Sequence, residues 1–262
     1  MISASRSGPH AGTSPKSAIG RLRVVVRLLA MLMLLVACIP MYYLWRPFGS
    51  GNPWPRAFLA GVAWLAGMHA RYHGHRVKRG ALLIANHVSW IDIPVLAAAS
   101  GTAFVAHDGL ASVPLVRWLC RMNDTVFVAR HDRTTIQQQV AQVRDAIRAS
   151  GSLAVFPEGT TSDGTGLLPF KSSLLSAIDP VPPGIAIQPV WLDYGPQTAD
   201  VAWVGEDHGM DNFLRILARS RPIRINVHFL EPLSGDALAN RKSIARAARS
   251  AIAAAMSQRV AL

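Results

Sequence analysis

Two polar residues close an otherwise apolar run and set up a pairing with chemical use. Ala81-Leu82-Leu83-Ile84-Ala85 reads as a buried strand that runs into Asn86-His87. A histidine at the carboxyl end of a strand stands where crevices form in α/β folds. Asp92 follows five residues later. On one continuous helix that offset puts the two side chains on different faces, because neighbours recur at three and four. They meet if His87 lies in a loop and Asp92 in the first turn of the next helix. The carboxylate then holds one ring nitrogen and leaves the other as a base. Two plainer readings stand beside this one. Ser89 and Asp92 fit the S-x-x-D capping pattern, and His87 fits a hydrogen-bonded structural histidine.

A second stretch bears on the choice. Leu153-Ala154-Val155-Phe156 reads as a strand that enters Pro157-Glu158-Gly159-Thr160-Thr161-Ser162. Together the stretches resemble the glycerolipid acyltransferase family, whose best-known member acylates lysophosphatidic acid. That family carries an H-x-x-x-x-D box and, about seventy residues on here, an F-P-E-G-T box. Thr125–Arg130 looks like its strand-plus-arginine block, Phe170-Lys171 its F-K pair, and Ile185–Val190 its late apolar-proline block. All fall in the family's order within residues 81–191.

The resemblance implies transfer of a fatty acyl chain from acyl-CoA or acyl carrier protein to the hydroxyl of a lysolipid. His87 would be the general base and Asp92 its orienting partner, with no covalent acyl-enzyme. A neutral imidazole suits that task near pH 7. Glu158, Gly159 and Thr160 match the box that helps bind the acceptor, and a glycine lets backbone approach a ligand closely. Arg130 matches the arginine linked to the acceptor headgroup, a bidentate donor suited to phosphate or carboxylate. Lys171 matches the F-K lysine, a less directional cation. The resemblance implies no metal and no bound cofactor, and lysophosphatidate as the acceptor, giving phosphatidic acid. One departure points elsewhere: the box usually ends in arginine, and here that position is Thr161. Ser172-Ser173 also replaces the glycine that often follows F-K. A bacterial subfamily that acylates lyso-ornithine lipid resembles this chain at F-P-E-G-T-T-S and F-K-S, so that lipid is the alternative acceptor. No G-x-S-x-G elbow supports a serine hydrolase. A non-catalytic lipid-binding membrane protein is the alternative of another class.

Bulk properties agree with a membrane setting. The chain has 262 residues, 50% hydrophobic and only 16% charged, with a formal net charge of +12. Such an excess attracts anionic lipid, nucleic acid or an acidic protein. No zinc finger, RNP motif or helix-turn-helix signature supports nucleic acid, so membrane lipids and the acyl carrier are the expected partners. The two cysteines, Cys38 and Cys120, lie far apart in sequence and lack metal-ligand spacing.

Three segments are expected. Residues 1–20 read as a disordered basic tail. Residues 21–70 read as a membrane-associated helical hairpin: an apolar run Leu28–Ile39 interrupted at Pro40, a Gly/Pro-rich hinge, then Ala57–Met68. Basic residues flank the first run on both sides, which suits segments that dip in and return to the cytoplasmic face of a bacterial inner membrane. A cleaved leader is the competing reading, since Leu35-Val36-Ala37-Cys38 resembles a lipobox. Residues 71–262 read as an α/β acyltransferase domain, a mostly parallel sheet flanked by helices. Strands are expected near 81–85, 103–106, 125–128, 153–156, 185–192, 202–204 and 223–229. Helices are expected near 91–99, 113–121, 134–149, 211–218 and 236–260. His69, His73 and His75 have spacing that can bind metal, but no acid or cysteine accompanies them, so a solvated cluster is the reading.

Overall fold

The apolar run before His87 is a strand, β2 (Ala81–Ala85), with all five residues buried. A strand covered on both faces is apolar throughout, as parallel sheets under two helix layers demand. The structure, a computed structural model, describes residues 17–49, 51–107, 114–128, 136–205 and 208–260. β2 lies in parallel between β5 (Ser152–Val155) and β6 (Ala186–Asp193). Outside β5 come β3 (Ala103–His107) and β4 (Val126–Val128); outside β6 come β7 (Ile223–Phe229) and β1 (Met68–His73). The seven-stranded order is β1-β7-β6-β2-β5-β3-β4, and only β6 and β7 pair antiparallel.

Side chains alternate across each strand, so Leu83 and Leu82 enter different cores. On the first face Leu83, Ile225 and Val227 pack with α3 (Asp92–Ser100), α7 (Gly209–Ala218) and two N-terminal helices, α1 (Ala18–Trp45) and α2 (Trp54–Leu65). On the second, Leu82, Ile84 and Leu153 pack with α5 (Ile136–Ser150) and α8 (Arg241–Val260). Two short helices, α4 (Pro114–Met122) and α6 (Thr198–Val201), complete the set used below.

The N-terminal segment departs from expectation. The interruption at Pro40 is absent: α1 is one helix of 28 residues with Pro40 inside it. It extends about 42 Å at 1.5 Å per residue, more than the roughly 30 Å of a bilayer core. Spanning helices tolerate proline where neighbours or local adjustment satisfy the freed carbonyl. Among the described residues, Ala18–Phe48 is the one helix long and apolar enough to cross a membrane. The 12 residues of α2 are too few to span. The basic flanks are partly spent inside the protein. Arg23 donates to Ala218 O at 2.9 Å and Arg27 to Leu217 O at 2.8 Å, at the carboxyl end of α7. Arg56 donates to Ala98 O at 3.1 Å and Arg76 to Ala99 O, near the carboxyl end of α3. Guanidinium groups satisfy the orphan carbonyls there and complement the helix dipole. The tail through residue 16 lies outside the described residues.

Three further expectations need correction. Strand β1, Met68–His73, is not among the strands expected from the sequence. Its outer residues His69, Arg71, Tyr72 and His73 are exposed, so as an edge strand it lacks the apolar alternation that marks a strand. Ala202–Val204 is not a strand: Ala202 O accepts from Asn212 and Arg215, and Trp203 N–H donates to Val88 O, so no ladder forms. The final helix begins at Arg241 because Asn240 Oδ1 caps it, accepting from the N–H groups of Lys242 and Ser243; Gly235–Leu238 is a separate 3₁₀ turn.

Candidate active site

The site begins where β2 ends. Asn86 clasps Leu192 on β6, donating to its O at 3.1 Å and accepting from its N at 2.7 Å. The chain then leaves the sheet at His87, turns, and enters α3 at Asp92. The turn is closed by the Asp92 carboxylate. Its Oδ2 accepts from His87 Nδ1 at 2.8 Å, Val88 N at 2.6 Å and Ser89 N at 2.9 Å, and its Oδ1 accepts from the Tyr194 hydroxyl. Asp92 is 0% exposed, and an acceptor-only group suits a cage of donors. Both readings of Asp92 are thus realised in one carboxylate: it takes the Ser89 N–H as a capping box does, and it also holds the imidazole. The buried Ser89 hydroxyl donates to Asn212 Oδ1 at 3.2 Å.

With Nδ1 committed to Asp92, the other ring nitrogen, Nε2, is the basic one. The ring stacks on Phe156 with centroids 4.3 Å apart and planes 19° apart. His87 and Phe156 line a cavity of about 380 Å³ whose walls are apolar. Leu35 and Ile39 of α1, Phe58 and Leu59 of α2, Phe104 of β3 and Leu119 of α4 form those walls. Both cysteines reach this cavity and both are free thiols.

The loop after β5 is bound to the His87 loop backbone to backbone. His87 O accepts from Ser162 N at 2.8 Å and Ser162 Oγ at 3.1 Å. Glu158 adds a strap: Oε1 accepts from His87 N at 2.8 Å and Oε2 from Leu168 N at 3.0 Å. The carboxylate is 1% exposed and does not line the cavity. Burial pushes its pKa above the usual carboxylate range, partly offset by the two N–H groups it accepts. Gly159 and Thr160 line the cavity beside His87. Gly159 has φ +70°, and a Cβ there would sit 3.1 Å from Lys171 Nζ, so the lysine ammonium lies against this turn. Arg130 lies outside the described residues. Thr161, at the position where arginine is usual, gives its hydroxyl to Trp203 O.

Sequence reasoning missed Tyr194 and the Asn86 clasp. A signal existed: the apolar run of β6 ends in Asp193-Tyr194, as its parallel neighbour β2 ends in Asn86-His87. The three N-terminal histidines do not converge. His73 stacks on His228 with centroids 4.6 Å apart and shares a 3.1 Å hydrogen bond with Asn226 Oδ1. Among the described residues, no three of His, Cys, Asp and Glu gather into a metal site.

A caged acid behind an imidazole, beside an apolar cavity at the carboxyl ends of parallel strands, is an arrangement suited to acid–base chemistry on an apolar substrate. The acyltransferase family model matches residues 69–193. Lyso-ornithine lipid O-acyltransferase of Rhodobacter capsulatus is 32% identical over 263 aligned residues, covering 94% of each chain. The protein of that name from Rhizobium meliloti is 33% identical, covering 84% of this chain and 80% of its own. The 1-acyl-sn-glycerol-3-phosphate acyltransferase of Neisseria gonorrhoeae is 33% identical, covering 58% of this chain and 59% of its own. The crystal structure of the 1-acyl-sn-glycerophosphate acyltransferase of Thermotoga maritima shares the fold. Its TM-score is 0.64 at 19% identity, covering 93% of this chain and 98% of that one. The chain belongs to the acyltransferase family, among relatives named as lysolipid O-acyltransferases.

Proposed function

We propose that the protein acylates the free hydroxyl of lyso-ornithine lipid, with His87 as general base. The observation that supports the base is the 2.8 Å contact from His87 Nδ1 to Asp92, which leaves Nε2 uncommitted in a residue that lines the apolar cavity. Nε2 takes the proton of the acceptor hydroxyl as its oxygen attacks the thioester carbonyl of acyl-CoA or acyl carrier protein. The new C–O ester bond forms, the C–S bond breaks, and the imidazolium returns its proton to the leaving thiolate. Asp92 keeps Nδ1 protonated and steadies the transient positive charge. The fatty chain occupies the cavity between α1, α2 and the sheet. Lys171, against Gly159, supplies a cation for the acceptor headgroup, and Arg130 is assigned the same task. The chemistry needs no metal or bound cofactor.

Lyso-ornithine lipid takes precedence over lysophosphatidate for two reasons. The residue that would clamp a phosphate is replaced by Thr161, whose hydroxyl is spent on Trp203 O. Two relatives more than 30% identical over 80% or more of their own length also carry that substrate in their names. We further infer that α1 and α2 anchor the enzyme with the α/β part on the cytoplasmic face, where acyl donors are made. The test offers both lysolipids in parallel to the purified full-length protein with labelled acyl-CoA or acyl carrier protein. The expected result is a kcat/KM at least about tenfold higher for lyso-ornithine lipid, a difference of ~1.4 kcal/mol at the transition state. Equal or better use of lysophosphatidate would assign the other acceptor.

A further inference from the structure

Among the described residues, the hydroxyl of Tyr194 is the one donor to Asp92 that does not come from the 87–89 turn. We propose that Tyr194 is a positioning residue that tunes His87 through Asp92, an inference that rests on the reading of His87 as the base. Two oxygens of one carboxylate divide the work. Oδ2 carries the imidazole and two backbone N–H groups; Oδ1 carries only the phenol. The phenol is aimed by the sheet rather than by a loop. Tyr194 directly follows β6, the parallel neighbour of β2, and Asn86 clasps Leu192 just before it. The intervening Asp193 is itself pinned by Arg259, by Asn226 Nδ2 at 3.3 Å and by Gly195 N at 2.9 Å. Tyr194 is 2% exposed, and its burial and the adjacent Asp92 charge both hold the proton on its oxygen. It is therefore a donor throughout the working pH range.

That bond draws charge toward Oδ1 and away from the oxygen that grips His87. Without it the carboxylate favours the imidazolium more strongly, so His87 becomes a free base only at higher pH. The other titratable or charged groups placed around the ring are Glu158 on the His87 N–H, Lys171 against Gly159, and Cys38, Cys120 and Tyr42 on the cavity wall. Removing the Tyr194 hydroxyl changes none of them.

The test follows the pH dependence of kcat/KM for acyl transfer by the full-length protein carrying Tyr194→Phe, or 3-fluorotyrosine placed at position 194 alone. Tyr194→Phe is expected to lower kcat about threefold or more on the acid limb, with little change on the plateau or in KM, because less His87 is present as the free base there. Its acid limb moves to higher pH by about half a unit or more. Fluorotyrosine has a more acidic phenol, donates more strongly, and moves the limb to lower pH while keeping ring and hydroxyl in place. An acid limb that stays put in both variants overturns the proposal and leaves Tyr194 a purely structural residue. If Tyr194→Phe fails to fold, the fluorotyrosine protein decides alone. Failure of the base reading is separable: His87→Ala would then stay active, whereas an inactive His87→Ala beside an unmoved limb removes only the role of Tyr194.

Discussion

Glu158 spends both carboxylate oxygens on backbone N–H groups. Its two oxygens join the turn that carries His87 to the segment ending at Leu168, and the carboxylate is buried behind both. A glutamine has one carbonyl oxygen and so can serve only one of those N–H groups, leaving the other facing an amide donor. Glu158→Gln should lose about 1–3 kcal/mol of stability. In a protein of this size that is a fall in melting temperature of roughly 2–4 °C per kcal/mol. Activity should fall with it, because the His87 loop loosens. Melting curves and rates of the purified variant check both, and an unchanged melting temperature would return Glu158 to direct substrate binding. The pairing of His87 with Asp92 was legible because its partners lie close in sequence and carry a spacing. Tyr194 was not, because its partner lies on a neighbouring strand and nothing local marks a tyrosine as aimed at a carboxylate.

At the scale of elements, strands with two covered faces were readable as apolar runs, and β2, β5, β6 and β7 lie close to where periodicity puts them. The misreadings were elements whose state is set by distant partners. β1 owes its existence to an in-register parallel pairing with β7, Met68 opposite Ile223 through His73 opposite His228. Across that edge runs a stack: His73 on His228 with centroids 4.6 Å apart, and His228 on Trp191 at 4.7 Å. Burial and the neighbouring His73 hold the His228 pKa below its ordinary value of 6.5. The sign follows from linkage: the unfolded chain binds the proton more readily. The stabilisation is therefore full above the ordinary value and lost as pH falls from there toward the lowered one. The melting temperature should decline on acidification through that window, and His228→Phe should flatten the decline. A wild-type curve that holds level, or an equal slope in the variant, would show that the stack carries no such dependence.

For the molecule as a whole, α1 is at once long and apolar enough to cross a membrane and a wall of the cavity beside His87. Its outer face leaves Leu22, Val25, Leu29, Leu32 and Val36 exposed, an apolar stripe that water does not favour. Its other side supplies Leu35 and Ile39 to the cavity that ends at His87. Sequence reading saw the hydrophobic run and the α/β alternation as separate segments. Their joint cavity was out of reach because it depends on α1 packing against α2 and α7, which hydropathy does not encode. The helix that carries the exposed apolar stripe thus also lines the cavity beside His87. This arrangement also separates two properties that a single substitution can test, since His87 lies off the exposed apolar stripe of α1.

That substitution is His87→Ala, measured as acyl transfer by the purified, membrane-reconstituted protein alongside its retention on vesicles. General-base catalysis is worth about 10²–10⁴ in rate. The account predicts a loss of that order or complete inactivity, with vesicle binding and melting temperature close to wild type. Transfer at the wild-type rate by the folded variant would contradict it.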